Sequence, residues 1–436
     1  MHLGIDDTDS MRGGCTTYVA ALLVEEYSKL GVTWLDYPNL IRLNPNIPWK
    51  TRGNGAISLR LEIDRSMVDD LVDIALKVVE RESMIGDDGV DPVLAVYVGG
   101  VSDELRRFAY IAETDVVDVG YALKLADSVG VKRWVFKDPR GIVGALAAIG
   151  EDLKGDHTYE LIAYRTMGMI GNPRMIDVDS VKAMDEATKG ETYANIDYET
   201  GRILITPRGS DPVLYGIRGE TPEAVYRAHT IIRSYEEVER WVIFRSNQCT
   251  DAHLRVKRTI SLLKPYVAAV SEGIVSGRPT IIAGGHVIFK LDDGTGIVDC
   301  AVYEPTGGLR SVVSKLMAGD RVRVYGGVKP FDGRLTFNVE KIEIVELTKI
   351  YRAMNPVCPS CGRRMKSMGS GKGFRCDRCG FRDSDNSKIE INIDRGLKPG
   401  LYMPPPRAYR HLTKPPERYG REKTGGIVWF HPWHKP

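Results

Sequence analysis

Two Cys-x-x-Cys pairs near the C-terminus constrain the fold more tightly than any other feature of the sequence. Cys358 and Cys361 form the first pair, and Cys376 and Cys379 form the second after a spacer of fourteen residues. Four thiolates at this spacing favour a tetrahedral Zn²⁺ site, and because no coordination position stays open the metal is expected to be structural. A redox dithiol would need only one such motif. Residues 353–390 are therefore predicted to form a zinc ribbon.

The length of the chain sets the number of domains. Its 436 residues exceed what one hydrophobic core organises, and about 100–200 residues per domain predict two to four domains. No segment approaches the ~20 apolar residues of a membrane span, and the N-terminus lacks the apolar run of a signal peptide. Because the cysteines do not form a disulfide framework, the sequence favours a reducing cytoplasm.

A second motif, close to the N-terminus, combines carboxylates, glycines and hydroxyls. The chain reads Asp6-Asp7-Thr8-Asp9-Ser10, and Gly13-Gly14-Cys15-Thr16-Thr17 follows before a helix-like run. Mg²⁺ prefers a few protein oxygens together with substrate phosphates, and glycines let backbone N–H groups approach phosphate oxygens. The motif favours a site for a metal and a phosphate. The alternative is an Asp-rich turn with Ser10 or Thr16 as a helix N-cap.

The first 255 residues show alternating and amphipathic segments that predict a mixed α+β organisation. A helix is predicted over 17–31. The strand over 56–63, the helix over 67–82 and the strand over 93–98 form a β-α-β run that resembles half of a ferredoxin-like unit. The pattern of residues 199–255 is β-β-α-β and would complete that unit. One domain would then interrupt another, with a ferredoxin-like domain built from 56–100 and 199–255 and a second domain built from 1–55 and 101–198.

From about residue 267 the pattern changes to five strand-like segments with Gly-rich turns, over 272–274, 280–291, 295–303, 320–328 and 335–345. A short helix, predicted over 308–317, stands between the third and the fourth strand, and this placement is typical of an OB-fold over 267–347. Another small antiparallel barrel is the alternative. OB-folds bind single-stranded nucleic acid. Lys329, Phe331 and Arg334 lie on a predicted hairpin loop that would contact such a strand or form a solvated turn.

The C-terminal part of the chain carries an excess of positive charge. From Arg352 onward Lys and Arg outnumber Asp and Glu, although the net charge of the whole chain is only +2. Such asymmetry indicates a polyanionic partner. Residues 391–436 form a Pro-rich basic tail. Three conformations are open for it: it could lie extended on the protein, lie extended on RNA, or be disordered.

Motifs distributed over nearly the whole chain resemble the family of archaeal tRNA-isoleucine 2-agmatinylcytidine synthetases, also called agmatidine synthetases. Only the residues from about Arg421 onward carry no motif of the family. The matching segments are the N-terminal acidic motif, Ile41-Arg42-Leu43-Asn44-Pro45, Lys50-Thr51-Arg52-Gly53-Asn54-Gly55, the run from Arg140 to Gly150, Pro207-Arg208-Gly209 with Asp211-Pro212, Gly216-Ile217-Arg218-Gly219, Asn247-Gln248, Thr250-Asp251-Ala252-His253, the four cysteines and Arg410-His411-Leu412.

The resemblance implies a multidomain α+β protein. The domains would be a split kinase-like α/β domain, which takes residues 1–55 and 101–198, a ferredoxin-like domain, an OB-fold β-barrel and a zinc ribbon. It also implies an ATP-dependent ligase that joins agmatine to carbon 2 of the wobble cytidine of CAU-anticodon isoleucine tRNA. AMP and phosphates would be released, and the tRNA would then decode AUA. ATP, Mg²⁺, agmatine and structural Zn²⁺ are the implied small partners, without a membrane or an obligate protein partner.

The resemblance also suggests residue roles. Asp6, Asp7 and Asp9 are candidates for Mg²⁺ ligands or for the base, and Thr16 matches a threonine that the family phosphorylates on itself. Because side chains alternate along a strand, Asp6 and Asp7 can share a site only if the chain turns there. The candidates for binding the cofactor ATP are Gly13, Gly14, Lys50, Arg52, Asn54, Lys137, Arg140, Gly141 and Gly144.

Several alternatives stay open for these residues. Gly141 and Gly144 suit a phosphate cradle or close helix packing, and Thr16 suits a phosphoryl relay or a plain N-cap. Agmatine needs carboxylates, for which the candidates are Glu113, Asp115 and Asp118. For the whole chain, a non-catalytic OB-fold and zinc-ribbon RNA-binding protein is one alternative function, and another phosphotransferase or nucleotidyltransferase acting on RNA is a second.

Overall fold

The computed structural model describes residues 1–385 and 387–435 and gives the bounds of all the elements named below. The helices are α1 (Thr16–Lys29), α2 (Val68–Glu82), α3 (Asp103–Thr114), α4 (Val119–Val129), α5 (Ile142–Gly150), α6 (Val178–Ala187), α7 (Pro222–Ile231) and α8 (Gly308–Val313). The strands are β1 (His2–Asp6), β2 (Thr33–Trp34), β3 (Asn39–Arg42), β4 (Gly55–Glu62), β5 (Val93–Tyr97), β6 (Lys132–Val135), β7 (Thr158–Arg165), β8 (Thr192–Tyr193), β9 (Ile196–Asp197), β10 (Arg202–Ile203), β11 (Val213–Gly219), β12 (Val238–Ser246), β13 (Ala268–Val275), β14 (Thr280–Ile281), β15 (Val287–Asp292), β16 (Ile297–Val302), β17 (Arg321–Phe331), β18 (Arg334–Glu346), β19 (Tyr351–Met354), β20 (Lys366–Ser367), β21 (Phe374–Arg375), β22 (Arg382–Asp383), β23 (Ile389–Asn392), β24 (Gly400–Tyr402) and β25 (His434–Lys435).

One mixed β-sheet runs through the first 255 residues. In the described part of the chain it has eleven strands in the order β6-β5-β1-β4-β3-β12-β7-β11-β8, with β2 beside β4 and β25 beside β12. Neighbours on this path are antiparallel except β3 and β12, which are parallel. The β3–β12 pair therefore joins an N-terminal and a C-terminal group of strands.

Alternation along β1 decides how the helices cover the sheet. Leu3 and Ile5 point to one face and enter a core with α1 and α2. Gly4 points to the other face, where a Cβ would collide with the carbonyl oxygen of Ala145 in α5. Only glycine lets α5 lie this close. The N-terminal end of α5 is thereby brought against the end of β1.

The strand pairing differs from the interleaved unit expected from the sequence. The strands from residues 56–100, β4 and β5, both pair with β1. The strands from residues 199–255 that enter the sheet, β11 and β12, both pair with β7. Among the described residues, the strands of these two segments do not pair with each other. The interleaved boundaries thus stay a prediction.

The OB-fold is present where the sequence predicts it. Its strands follow the order β13-β17-β18-β16-β15-β14, and pairing of β13 with β15 closes the barrel. Helix α8 lies between β16 and β17, as predicted. The strand predicted over 280–291 is interrupted by a turn in which Gly284 has a φ of 82°. The β17–β18 hairpin ends at the Phe331–Arg334 pair, and Phe331 is 73% exposed.

The Pro-rich tail lies extended on the protein. Strand β24 pairs with β18 of the barrel, and β25 pairs with β12 of the large sheet. Between them, the buried guanidinium of Arg418 lies 2.7 Å from a carboxylate oxygen of Asp156 and 2.7 Å from one of Glu220. Trp433 packs edge-on against Trp34, with ring centroids 5.4 Å apart. The segment without family motifs is therefore packed as well.

Among the described residues, no helix has both the length and the apolar character that crossing a membrane requires.

Replacing Arg418 tests how strongly the tail is anchored. Arg418→Ala leaves the partly buried carboxylates of Asp156 and Glu220 without their main cation, and we expect the free energy of unfolding to fall by about 3 kcal/mol. Arg421→Ala is the matched control, since Arg421 is exposed and, within the described part of the chain, donates to the backbone carbonyl of Gly190 rather than to a carboxylate. We expect its effect to stay within about 0.5 kcal/mol. Equal losses in chemical denaturation would contradict the anchoring role.

Candidate active site

The three aspartates of the N-terminal motif lie around one cavity of about 500 Å³ at the end of β1. Asp7 has a φ of 61°, so the chain turns directly after the strand. Asp6 and Asp7 consequently both line the cavity, together with Asp9 and Thr16. Successive side chains of a strand point to opposite faces, so Asp6 and Asp7 can face the same cavity only because the chain turns between them.

The wall of this cavity contains some of the residues expected to bind ATP and lacks others. Those that line it are Lys50, Arg52, Asn54, Arg140 and Gly144. Those that are not among the described lining residues are Gly13, Gly14, Lys137 and Gly141. Lys137 instead donates to the carbonyl oxygen of Asp87 at 3.0 Å.

Close packing explains the two glycines near the start of α5. A Cβ at Gly144 would collide with the carboxylate of Asp6, and a Cβ at Gly141 would lie 2.7 Å from the carbonyl oxygen of Asp91. Protein atoms fill the space beside both residues, which favours the packing alternative over a phosphate cradle. Gly144 still matters to the site, because it lets Asp6 lie directly against α5.

Burial and mutual repulsion reduce the acidity of Asp6 and Asp7. Burial raises the pKa of Asp6 well above its ordinary value, and the charge of Asp7 raises it further. Burial also raises the pKa of Asp7 to about 6, although the Arg140 guanidinium, 3.1 Å from its Oδ2, opposes that shift. Arg140 is shared with Asp91 at 2.6 Å. The loop therefore carries less negative charge than three free carboxylates would.

Asp9 starts helix α1. Its Oδ1 accepts the backbone N–H of Thr16 at 2.7 Å and the Thr16 hydroxyl at 3.1 Å, while the hydroxyl of Thr8 donates to Oγ1 of Thr16 at 2.9 Å. Asp9 is therefore the side-chain acceptor at the start of α1. The sequence suggests Ser10 or Thr16 for this N-cap role. Its second oxygen, Oδ2, lies 3.4 Å from Nε of Arg52.

Asp211 belongs to a family motif in the sequence, and the structure places it in the site. Its Oδ2 lies 3.2 Å from Nη1 of Arg52. Arg174 fixes the loop around it, because its guanidinium donates to the carbonyl oxygens of Pro207, Asp211 and Val213 at 2.6–2.9 Å. The Asp-Pro pair after Pro-Arg-Gly marks a turn, but nothing local in the sequence connects that turn to residue 52.

The structure separates the three candidate carboxylates for agmatine. Asp115 and Asp118 line the same cavity as the aspartate motif. Glu113 does not, because it is buried where Asn247 donates to its Oε1 at 2.7 Å and Arg255 lies 3.2 Å away. Burial raises the pKa of Glu113 to about 8. Glu113 thus connects α3 with the end of β12, outside the cavity that Asp115 and Asp118 line.

A second cavity, of about 550 Å³, adjoins the first, and residues 43, 50 and 52 line both. The tail contributes His411, whose Nδ1 accepts from Arg218 at 2.9 Å. The charge of Arg42, together with burial, lowers the pKa of His411 well below its ordinary value, so its imidazole is neutral. The cationic side chains around this cavity are Arg42, Lys50, Arg52, Arg202, Arg208, Arg218, Arg407 and Arg410.

The four cysteines of the predicted ribbon converge on one point. Their Sγ atoms all lie within 4.8 Å of one another, with Cys358 3.5 Å from Cys379 and Cys361 3.4 Å from Cys376. The glycines after the pairs have φ values of 72° and 76°, as the tight turns require. Four sulfur ligands at these distances fit tetrahedral Zn²⁺ without an open position. Among the described residues, the three aspartates do not form a comparable cluster.

Removing one of these thiolates tests the zinc site. We expect about one zinc ion per chain in the purified protein, and Cys376→Ser should remove it, lower the thermal stability of the ribbon and weaken RNA binding. Ser360→Ala, which changes a residue between two ligands, is the control and should keep the metal. Elemental analysis that finds the zinc content unchanged in Cys376→Ser would show the assignment to be wrong.

The raised pKa of Asp7 predicts a pH-dependent cost in stability. Its ordinary value is 3.8 and its folded value is about 6, so the ionised carboxylate opposes folding fully above pH 6 and not below pH 4. Such a shift corresponds to at most about 3 kcal/mol. We expect Asp7→Asn to raise the free energy of unfolding at pH 7 by about 1–3 kcal/mol, with the gain vanishing at pH 4.

Chemical denaturation at pH 4, 5, 6 and 7 measures this effect. Asp103→Asn is the control, because Asp103 is exposed on α3. A gain that does not change with pH, or a loss of stability at pH 7, would contradict the prediction.

Four family models match successive parts of the chain. The TiaS TCKD domain matches residues 2–138 and the TiaS FLD domain matches residues 139–253. An OB-fold nucleic acid binding domain matches residues 271–345, and the TiaS C-terminal zinc ribbon domain matches residues 355–397. The last two models confirm the presence of the OB-fold and the zinc ribbon predicted from the sequence.

Whole-chain relatives carry one common description. The isoleucine-tRNA 2-agmatinylcytidine synthetase TiaS of Staphylothermus marinus is 42% identical and covers 99% of this chain and 98% of its own length. The protein of the same description from Archaeoglobus fulgidus is also 42% identical, with coverages of 95% and 96%.

Solved structures give the same result. Apo TiaS superimposes with a TM-score of 0.88 at 40% identity, covering 99% of each chain. A complex of TiaS with isoleucine tRNA, AMPCPP and agmatine superimposes with a TM-score of 0.82 at 39% identity, covering 95% of this chain and 96% of the other.

Proposed function

Because the chain belongs to the family of isoleucine-tRNA 2-agmatinylcytidine synthetases, we propose that it joins agmatine to the wobble cytidine of CAU-anticodon isoleucine tRNA at the expense of ATP. The enzyme is an ATP-dependent ligase, AMP and phosphates are released, and the modified tRNA reads AUA in the cytoplasm. The observation that carries this proposal is the adjacency of two cavities. An acidic cavity and a strongly basic cavity meet at residues 43–52. A nucleotide with its metal suits the first cavity, and an RNA strand suits the second.

The reaction needs a good leaving group on the base. Oxide is a poor leaving group, so the 2-oxo oxygen of the cytosine is first phosphorylated. The amine of agmatine then attacks carbon 2, the bond from carbon 2 to oxygen breaks, and phosphate leaves with that oxygen. Such phosphoryl chemistry depends on positioning and charge stabilisation. The cytosine must leave its stack to reach a pocket of this kind.

The aspartate motif and its arginines serve the phosphoryl step. Asp7 and Asp9 are the ligands we assign to Mg²⁺. This ion usually takes one or two protein carboxylates and completes its coordination with substrate phosphates, so it does not need a closed cage of side chains. The ion supplies charge neutralisation on the transferring phosphoryl group. Arg140 and Lys50 line the same cavity and provide further positive charge for phosphates.

Thr16 is the residue we assign to a phosphoryl relay. Its hydroxyl already donates to Oδ1 of Asp9 at 3.1 Å. When Thr16 Oγ1 attacks a phosphoryl group of ATP, the bond from that phosphorus to its bridging oxygen breaks and the remainder of the ATP leaves. The Asp9 carboxylate oxygen is in place to accept the proton of the hydroxyl. The position of the hydroxyl at the first turn of α1 adds the positive end of the helix dipole to the same place.

Agmatine fits the part of the acidic cavity that α3 and α4 border. Asp115 and Asp118, between these two helices, are the carboxylates we assign to its guanidinium. Its four-carbon chain needs an apolar surface, which the same cavity supplies. The apolar lining residues are Leu43, Ile47, Trp49, Ala112, Val116, Val117, Val119 and Val143.

Incorporation of labelled agmatine tests the proposal. With unmodified CAU-anticodon isoleucine tRNA transcript, we expect label in the wobble nucleotide only when ATP is present. Asp7→Ala should reduce incorporation by at least about a hundredfold while tRNA still binds, because a ligand of the metal is lost. Asp103→Ala, at a 95% exposed aspartate on α3, should leave incorporation unchanged.

The same assay separates the alternatives. Tight tRNA binding without any label would favour a non-catalytic RNA-binding protein. Consumption of ATP that requires RNA but not agmatine would favour a different transferase. Unchanged turnover in Asp7→Ala would remove the aspartate motif from the chemistry.

A further inference from the structure

Every carboxylate of the aspartate motif that the proposed function assigns to Mg²⁺ is engaged by the protein itself. Oδ2 of Asp7 accepts two hydrogen bonds from Arg140, at 3.1 and 3.2 Å. Oδ1 of Asp9 holds both groups of Thr16, and Oδ2 of Asp9 faces Arg52 at 3.4 Å. A cation that binds Oδ2 of Asp7 or Oδ2 of Asp9 must therefore displace an arginine first.

Arg52 is the arginine that also reaches the second cavity. It is one of three residues that line both cavities, and its guanidinium divides its contacts between Asp9 and Asp211. A further hydrogen bond runs from Nη2 of Arg52 to the carbonyl oxygen of Gly14, at the start of the segment that leads into α1. The same side chain thus contacts the metal loop and faces the basic cavity.

The second carboxylate partner of Arg52 is held rigidly. Arg174 is nearly buried and binds the loop of residues 207–213 through several carbonyl oxygens, and it lies 3.3 Å from Oδ1 of Asp211. Asp211 itself is only 9% exposed at its side chain. Arg52 therefore has a fixed anchor in Asp211 and a partly exposed carboxylate partner in Asp9.

We propose that Arg52 makes metal binding depend on phosphate, because a phosphate group that enters either of the two cavities lined by Arg52 draws this arginine away from Asp9 and so frees a carboxylate oxygen for a divalent cation. The inference rests on the proposed function, since RNA and ATP are the two sources of such a phosphate. A phosphate oxygen is a stronger partner for a guanidinium than a partly exposed carboxylate at 3.4 Å. Asp211 keeps Arg52 beside the cavity during this exchange, so Arg52 and Asp211 act as positioning residues.

Binding of Mn²⁺, followed by electron paramagnetic resonance, tests the switch without any catalytic turnover. In the free protein, Arg52→Gln should bind Mn²⁺ about tenfold more tightly than the wild type, because the cation that occupies Asp9 is gone. Arg52→Lys should restore most of the wild-type affinity. Arg233→Gln is the control, since Arg233 is an exposed arginine paired with Asp177 away from both cavities, and it should match the wild type.

The source of the phosphate is tested by adding an anticodon stem–loop RNA in one series of measurements and AMPCPP in another. The Mn²⁺ that each ligand binds in the absence of protein is measured separately and subtracted. An increase of wild-type affinity of about tenfold with RNA only assigns the exchange to an RNA phosphate, and one with AMPCPP only assigns it to the nucleotide. In Arg52→Gln the RNA should not increase the affinity, and AMPCPP should increase it less than in the wild type, because only its own phosphate oxygens then contribute.

Asp211→Asn provides a second variant in case Arg52→Gln does not fold. It removes the fixed anchor, so Arg52 should pair with Asp9 alone and Mn²⁺ binding in the free protein should weaken. Equal or weaker Mn²⁺ binding in a folded Arg52→Gln, or no response of the wild type to either ligand, would overturn the proposal. Agmatine incorporation is not read here, so failure of the switch and failure of the proposed function are distinguishable.

Discussion

The parallel pairing of β3 with β12 is the contact on which the rest of the structure depends. It is short, with Arg245 opposite Asn39 and Ser246 opposite Leu40. Asn247 extends it, because its side-chain amide accepts the backbone N–H of Arg42 at 2.8 Å and donates to the carbonyl oxygen of Arg42 at 2.9 Å. An amide side chain thus replaces one further peptide group of a strand. The chain after β3 is fixed between the two groups of strands, and both cavities form along it.

The charges of the acidic cavity balance each other at close range. Buried carboxylates are costly unless they are paired or protonated. Asp7 and Asp9 each face an arginine, while burial favours the protonated form of Asp6. This balance lets three aspartates lie next to one strand end. It also means that the electrostatics of the site change as soon as phosphates compete for the same arginines.

The tail closes the structure around these cavities. Arg407 contacts Asp197 at 2.9 Å, and Arg410 contacts Glu340 of the barrel at 2.9 Å. His411 reaches the basic cavity from the same segment. The proline content of the tail argues against a core of its own. The tail can still be well ordered, because its side chains pack into the cores of the other domains and form ion pairs with their charged residues.

The sequence by itself determined the features that depend on local spacing. Two Cys-x-x-Cys pairs are enough for a zinc ribbon, because the ligands of each pair lie within one turn. The OB-fold followed from the order of five strands and one helix, and the aspartate motif identified the acidic cavity because Asp6, Asp7 and Asp9 are almost contiguous. Only the tertiary structure decided which distant groups meet them. Asp211 beside Arg52, the burial of Glu113, the packing role of Gly144 and the course of the tail all depend on contacts between residues far apart in the chain. Side-chain spacing encodes a turn or a strand, but it does not encode which strand will lie beside it, since that choice is made by the burial of whole faces of the sheet.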